Sequence, residues 1–186
     1  YLRNGAYHNA FSHSIKALGE ARTLGDSTSV REAYLALEQI TYFYHNDDSL
    51  AMEYNRLVAS SWDSREQAHQ AVRALNNRFN YTLSPDDVRD IISRSEDICH
   101  QYDFDDLLIN IYLNATFQEL SFEDAEASAR YLAKAEPLIG NFKEEGYYYS
   151  AKGFYELSIG HSTEAIKSLS HSIELLGDGD FDSKNV

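Results

Sequence analysis

Seven histidines, His8, His13, His45, His69, His100, His161 and His171, are the side chains best suited to hold a metal or pass a proton near neutral pH. A zinc site on a helix needs two of them on one face, and a hydrolytic one also needs a glutamate at a fixed offset. The seven are scattered without that arrangement and read as structural or surface residues. Cys99 is the one cysteine, so it forms no internal disulfide, and nothing around it resembles a metal pair. It reads as a small buried residue on a helix. There is no glycine-rich phosphate loop, nucleophile elbow or Cys-His signature. No catalytic residue, metal or cofactor is therefore expected. In "GDGDFDSKNV" Asp178, Asp180 and Asp182 alternate as at the start of a calcium loop, but the central glycine and downstream glutamate are not in place. Residues 178–186 read instead as a flexible acidic tail. The sequons at Asn80 and Asn114 fall in expected helices and receive no role. The remaining candidates are aromatic: "EEGYYYSAKGFYELSIGH", Glu144 to His161, holds Tyr147, Tyr148, Tyr149, Phe154 and Tyr155.

The elements that would position such residues are helical. Only Pro85 and Pro137 interrupt 186 residues, and apolar residues recur at three- and four-residue spacings through nearly the whole chain. In "SREQAHQAVRALNNRF", Ala68, Ala71, Val72, Leu75 and Phe79 form one stripe. "SPDDVRDIISRSEDI" opens with Ser84 as N-cap, Pro85 in the first turn, and Asp86 and Asp87 at the positive end of the helix dipole. The same dipole compensation accounts for Asp47-Asp48, Asp105-Asp106 and Glu144-Glu145. Turn signals divide the chain into about nine helices of fifteen to twenty residues, and their short connections force neighbours to pair antiparallel.

Thirty acidic against sixteen basic residues give a net charge of -14, which excludes an electrostatic footprint for nucleic acid or anionic lipid. No apolar run reaches the length of a membrane span, so this segment is expected to be soluble, without membrane contact. Localisation, cytoplasmic or periplasmic, is not readable. Tyr1 falls inside an expected first helix, which implies sequence before it.

The chain repeats itself. Gly5 aligns with Gly160 and Ala10 with Ala165, and both stretches end in Leu-Gly-Asp. Ala51, Val88 and Ala125 supply the same small or branched position, at spacings of 41, 37, 37 and 40 residues. A small residue early in every second helix lets it approach its partner closely. These residues resemble the tetratricopeptide repeat family: Gly153, Gly160 and Ala165 match its two glycines and alanine. Tyr1, Gly5, Tyr7, Ala10 and Ala17 match the end of its first helix, turn and second helix; Tyr42, Ala51 and Tyr54, and Phe122, Ala125 and Pro137, repeat parts of the pattern. The likeness covers most of the chain, with repeats longer than the family's and a degenerate one around Val88.

That resemblance implies an all-α fold, a right-handed superhelix of stacked antiparallel pairs over 1–177. A partial repeat at 1–25 would precede pairs at 28–62, 64–101, 103–139 and 142–177. It also implies a concave groove lined by the first helices: Ala33, Ala36, Ile40 and Phe43; Gln70, Arg73, Asn77 and Tyr81; Leu107, Asn110, Asn114 and Phe117; Tyr147, Ser150, Phe154 and Leu157. Asn77, Asn110 and Asn114 would match a peptide backbone, Arg73 would take a carboxylate, and Tyr81, Phe117, Tyr147 and Phe154 would meet side chains. Tyr148 and Tyr155 would pack against adjacent helices.

The function implied is a non-catalytic protein- or peptide-binding module of a larger regulatory protein. The "A-L-x-x-A-x-x-L-G-D" ending is similar to bacterial signalling proteins, including regulators of the Bacteroides type. A scaffold that docks within its own protein or self-associates is the alternative from another class. A peptide-responsive transcription or phosphatase regulator is the third.

Overall fold

The structure, a computed structural model, describes residues 7–81, 83–140 and 142–180. Among them every regular element is helical. The chain divides into two compact units, residues 1–81 and 82–186. The boundary falls inside the pair expected over 64–101.

The first unit holds α1 (Tyr7–Leu24), α2 (Ser27–Ile40), α3 (Asp48–Ala59) and α4 (Arg65–Asn77). A π-helical turn, Thr41–His45, extends α2, and a 3-10 turn, Arg78–Asn80, extends α4. Side-chain caps set the starts: Asp26 accepts from the Thr28 and Ser29 amides, Asp47 from Leu50 and Ser64 from Gln67. Successive helices pack on one another, and α2 also touches α4. Leu18, Ala33 and Leu37 make a core closed by Phe11, Val30, Tyr34 and Tyr54.

The second unit holds α5 (Pro85–Tyr102), α6 (Asp105–Ser121), α7 (Ala125–Ala135), α8 (Phe142–Ser158) and α9 (Ser162–Asp180). Ser84 and Asp87 form a reciprocal capping box ahead of Pro85, as the sequence predicts. Here too successive helices pack in order, with α6 touching α8, and α8 on α9 is the most extensive pairing. Two glycines make that pairing close. A Cβ on Gly153 would lie 2.6 Å from Leu169 Cγ, and one on Gly146 2.7 Å from Leu176 Cγ. The crossing fixes the roll of α8 and leaves Tyr148 buried.

The repeat register needs one correction. Ala51, Val88 and Ala165 are each the fourth residue of their helices and are buried, but Ala125 opens α7 and is half-buried. The fourth position of α7 is Ser128, fully buried, whose hydroxyl donates to the Thr116 and Asp124 carbonyls. Serine satisfies the size requirement because it finds backbone acceptors. The spacings across these three intervals become 37, 40 and 37. Helices α2, α3, α4 and α7 run 14, 12, 13 and 11 residues, shorter than expected; α2 gives way to the π-helical turn, and α4 and α7 tighten into 3-10 turns. Helix α9 is interrupted at Gly177 (φ 67°), the last residue of the pair expected over 142–177. The tail expectation for 181–186, and the repeat matches at Tyr1 and Gly5, lie outside the described residues.

Candidate functional site

The sequence places Asn77, Asn110 and Asn114 in one row, but the structure gives them different surroundings in different units. In the first unit, Glu38 comes from the apolar stripe of α2 and is only 2% exposed. Its Oε1 accepts from Asn55 Nδ2 at 2.9 Å and from the Tyr81 hydroxyl at 3.0 Å, and its Oε2 accepts from Asn77 Nδ2 at 2.9 Å. Asn55 Nδ2 also donates to the Ala74 carbonyl at 2.6 Å, which ties the cluster to α4. Burial pushes the Glu38 carboxyl above its ordinary range, opposed by the bonds from Asn77, Asn55 and Tyr81. Burial and the adjacent Glu38 push the Tyr81 phenol up as well.

The expected groove is altered here in three respects. Asn77 spends a donor on Glu38, and Tyr81 is buried, with the Tyr42 ring packed edge-on 5.1 Å away. Arg73 takes a carboxylate of its own chain, Glu32 at 3.2 Å, which Gln70 also reaches at 2.9 Å. Ala33, Ile40 and Gln70 are buried, Ala36 is half-buried, and Phe43 is exposed. For Asn77 and Tyr81 the physical reason lies in Glu38: a carboxyl group withdrawn from water recruits the nearest neutral donors.

The second unit is arranged differently. Helices α6 and α8 border an open groove of about 190 Å³ lined by Asn110, Leu113, Asn114, Phe117, Tyr147 and Ser150. Phe117 is 38% exposed and Tyr147 40%, with Phe154, at 47%, packed edge-on to Phe117 at 5.7 Å. Leu113 is the buried floor. Asn110 is exposed and donates to the carbonyl of Asp106 one turn back, at 2.9 Å; Asn114 is half-buried. The Lys143 ammonium lies 5.9 Å from the Tyr147 ring centroid. This arrangement offers amide groups beside aromatic faces, which suits an extended backbone carrying an apolar side chain. Leu107 is half-buried at one end of α6, and Leu157 is exposed near the end of α8.

Thus the structure brings Asn110, Asn114, Phe117, Tyr147 and Phe154 together, while Arg73, Asn77 and Tyr81 serve a different cluster. Sequence reasoning missed Glu38 and Asn55. The available signal was an acidic residue amid Leu35, Leu37 and Ile40.

Cys99 is buried on α5, and burial pushes its thiol up to about 12, which keeps it protonated and unreactive. Among the described residues no His, Cys, Asp or Glu side chains form a metal-holding group of three. Among them, too, no helix is long and apolar enough to cross a membrane.

No family model, curated protein or solved structure matches this chain.

Proposed function

We propose that this chain is a non-catalytic, tetratricopeptide-like binding module whose α6/α8 groove receives an extended peptide segment of a partner protein. One observation carries the reading: Asn110 and Asn114 share a single open groove with the exposed rings of Phe117 and Tyr147. Amides of this kind pair with backbone groups, and exposed rings hold an apolar side chain at small entropic cost. The residue pattern that resembles tetratricopeptide repeats, and the contact of α6 with α8, support the same reading.

Titration of the chain with labelled extended peptides, each carrying one apolar anchor, tests it by fluorescence anisotropy. Phe117→Ala is expected to weaken binding about tenfold and Asn114→Ala several-fold, because anchors in such grooves dominate the affinity. Binding that both variants leave unchanged would sink the proposal.

A docking or self-association role is favoured by a separate observation. Ile166 and Ile173 lie seven residues apart on one face of α9 and are 67% and 54% exposed. Sedimentation velocity of the chain and of an Ile166→Glu, Ile173→Glu variant tests it. A concentration-dependent dimer that the variant abolishes supports this role, and a monomer at all concentrations removes self-association from it.

A further inference from the structure

We infer that the α6/α8 groove takes a cationic peptide, an extended segment with lysine or arginine beside an apolar side chain, rather than an acidic segment or a free C-terminal carboxylate. This rests on the peptide-binding reading above and assigns the ligand's charge.

Charge is distributed unequally along the chain. Residues 82–186 carry 21 Asp and Glu against eight Lys and Arg, a net charge of -13, whereas residues 1–81 carry nine against eight, a net charge of -1. The cations of the second unit are also largely engaged. Arg89 pairs with Asp86, Arg94 with Asp90 at 3.7 Å, Arg130 with Glu126 at 3.0 Å and Lys134 with Glu96 at 2.6 Å. Lys152 lies 5.6 Å from the Tyr149 ring centroid. An anionic ligand would approach against this field, and a cationic one would be drawn along it.

The lining agrees with the field. Its polar groups are neutral amides and hydroxyls, and its exposed rings present faces whose quadrupole attracts cations. Lys143 over Tyr147 shows a ring of this groove already accepting an ammonium from its own chain. Asp106 is exposed one turn before Asn110, on the same face of α6, where it can pair with a ligand cation. Arg73, the cation expected to hold a carboxylate, lies in the first unit and is paired with Glu32.

The test uses the full chain and three labelled peptides of one length and one phenylalanine anchor, with flanking residues Lys/Arg, Ser/Gln or Asp/Glu. At low salt the Lys/Arg peptide should bind about tenfold more tightly than the Ser/Gln peptide, and the Asp/Glu peptide more weakly than either. Added salt should close the gap. Phe117→Ala should weaken the Lys/Arg and Ser/Gln peptides alike, and Asp106→Asn should weaken the Lys/Arg peptide alone, by about threefold. Equal, salt-independent and Phe117-dependent binding of all three peptides would overturn the charge assignment and leave the groove standing. Lys/Arg binding insensitive to Phe117→Ala would overturn it as adherence to a charged surface, and binding of none of the three would overturn both readings.

Discussion

The two units put the same residue types to opposite uses. In the first, Asn55, Asn77 and Tyr81 turn inward to Glu38, and the donors are consumed holding a buried carboxylate. In the second, Asn110 and Asn114 line an open groove beside exposed aromatic faces. The first unit is nearly neutral and the second strongly acidic. What separates them is the group facing the amides: Glu38, within the apolar stripe of α2, accepts from Asn55 and Asn77, whereas Asn110 donates to the Asp106 carbonyl of its own helix and borders the groove with Asn114 around the apolar Leu113. An amide's position on a helix therefore does not decide its role; the group opposite does.

This contrast breaks first at Glu38. Glu38→Ala leaves the Asn55, Asn77 and Tyr81 donors without their acceptor and should cost about 3 kcal/mol of stability in urea unfolding, with native-state peptide binding retained. A loss below about 1 kcal/mol would show the cluster to be incidental. Next in size is Gly153→Ala in the second unit. Its Cβ would sit 2.6 Å from Leu169 Cγ and 3.3 Å from the Ala165 carbonyl oxygen. The overpacking should exceed the gain in helix propensity and cost about 1 to 2 kcal/mol. Stabilisation instead would mean that α8 and α9 separate easily.

The groove should show the reverse pattern. Phe117→Ala removes a ring more than a third exposed, so it should cost less than about 1 kcal/mol of stability while weakening peptide binding about tenfold. Large losses in both would make Phe117 a packing residue. The smallest effect expected is a pH dependence. Burial raises the Glu38 carboxyl in the folded state, so the folded chain holds a proton that the unfolded chain has released. The proton-linked part of the Glu38 contribution should therefore be fully present below the ordinary glutamate range. It should decline as pH rises from there to the raised value and stay lost above it. Unfolding curves of the chain and of Glu38→Gln, compared across that window, isolate the effect, since the variant lacks the titrating group. Identical slopes would place the carboxyl in its ordinary range.

Much of the architecture was legible because helices announce themselves locally. The Ser84 cap, Pro85 and the aspartates after them mark the start of α5 by short-range rules, and Gly153 marks a close crossing because few other side chains fit there. Positions relative to a helix's own axis were legible too, so Tyr147 and Phe154 are exposed and Tyr148 is buried as the register requires. What lies opposite a residue across a helix interface was not. Asn77 and Asn114 are alike in sequence, and only the fold shows that Glu38 faces the former. Ser128 escaped for a similar reason: composition favours alanine at a close contact, yet a hydroxyl bonded to the Thr116 carbonyl serves as well.

Chemical-shift mapping distinguishes the α6/α8 groove from the Glu38 cluster as the surface that meets a peptide. Adding an unlabelled Lys/Arg peptide with a phenylalanine anchor to the isotope-labelled chain should move the side-chain amide signals of Asn110 and Asn114 and the ring signals of Phe117, Tyr147 and Phe154. The Asn55 and Asn77 amides, held by Glu38, should stay in place. Shifts centred on Asn55, Asn77 and Tyr81, with Asn110 and Asn114 unmoved, would put the peptide at the Glu38 cluster and rule out the groove.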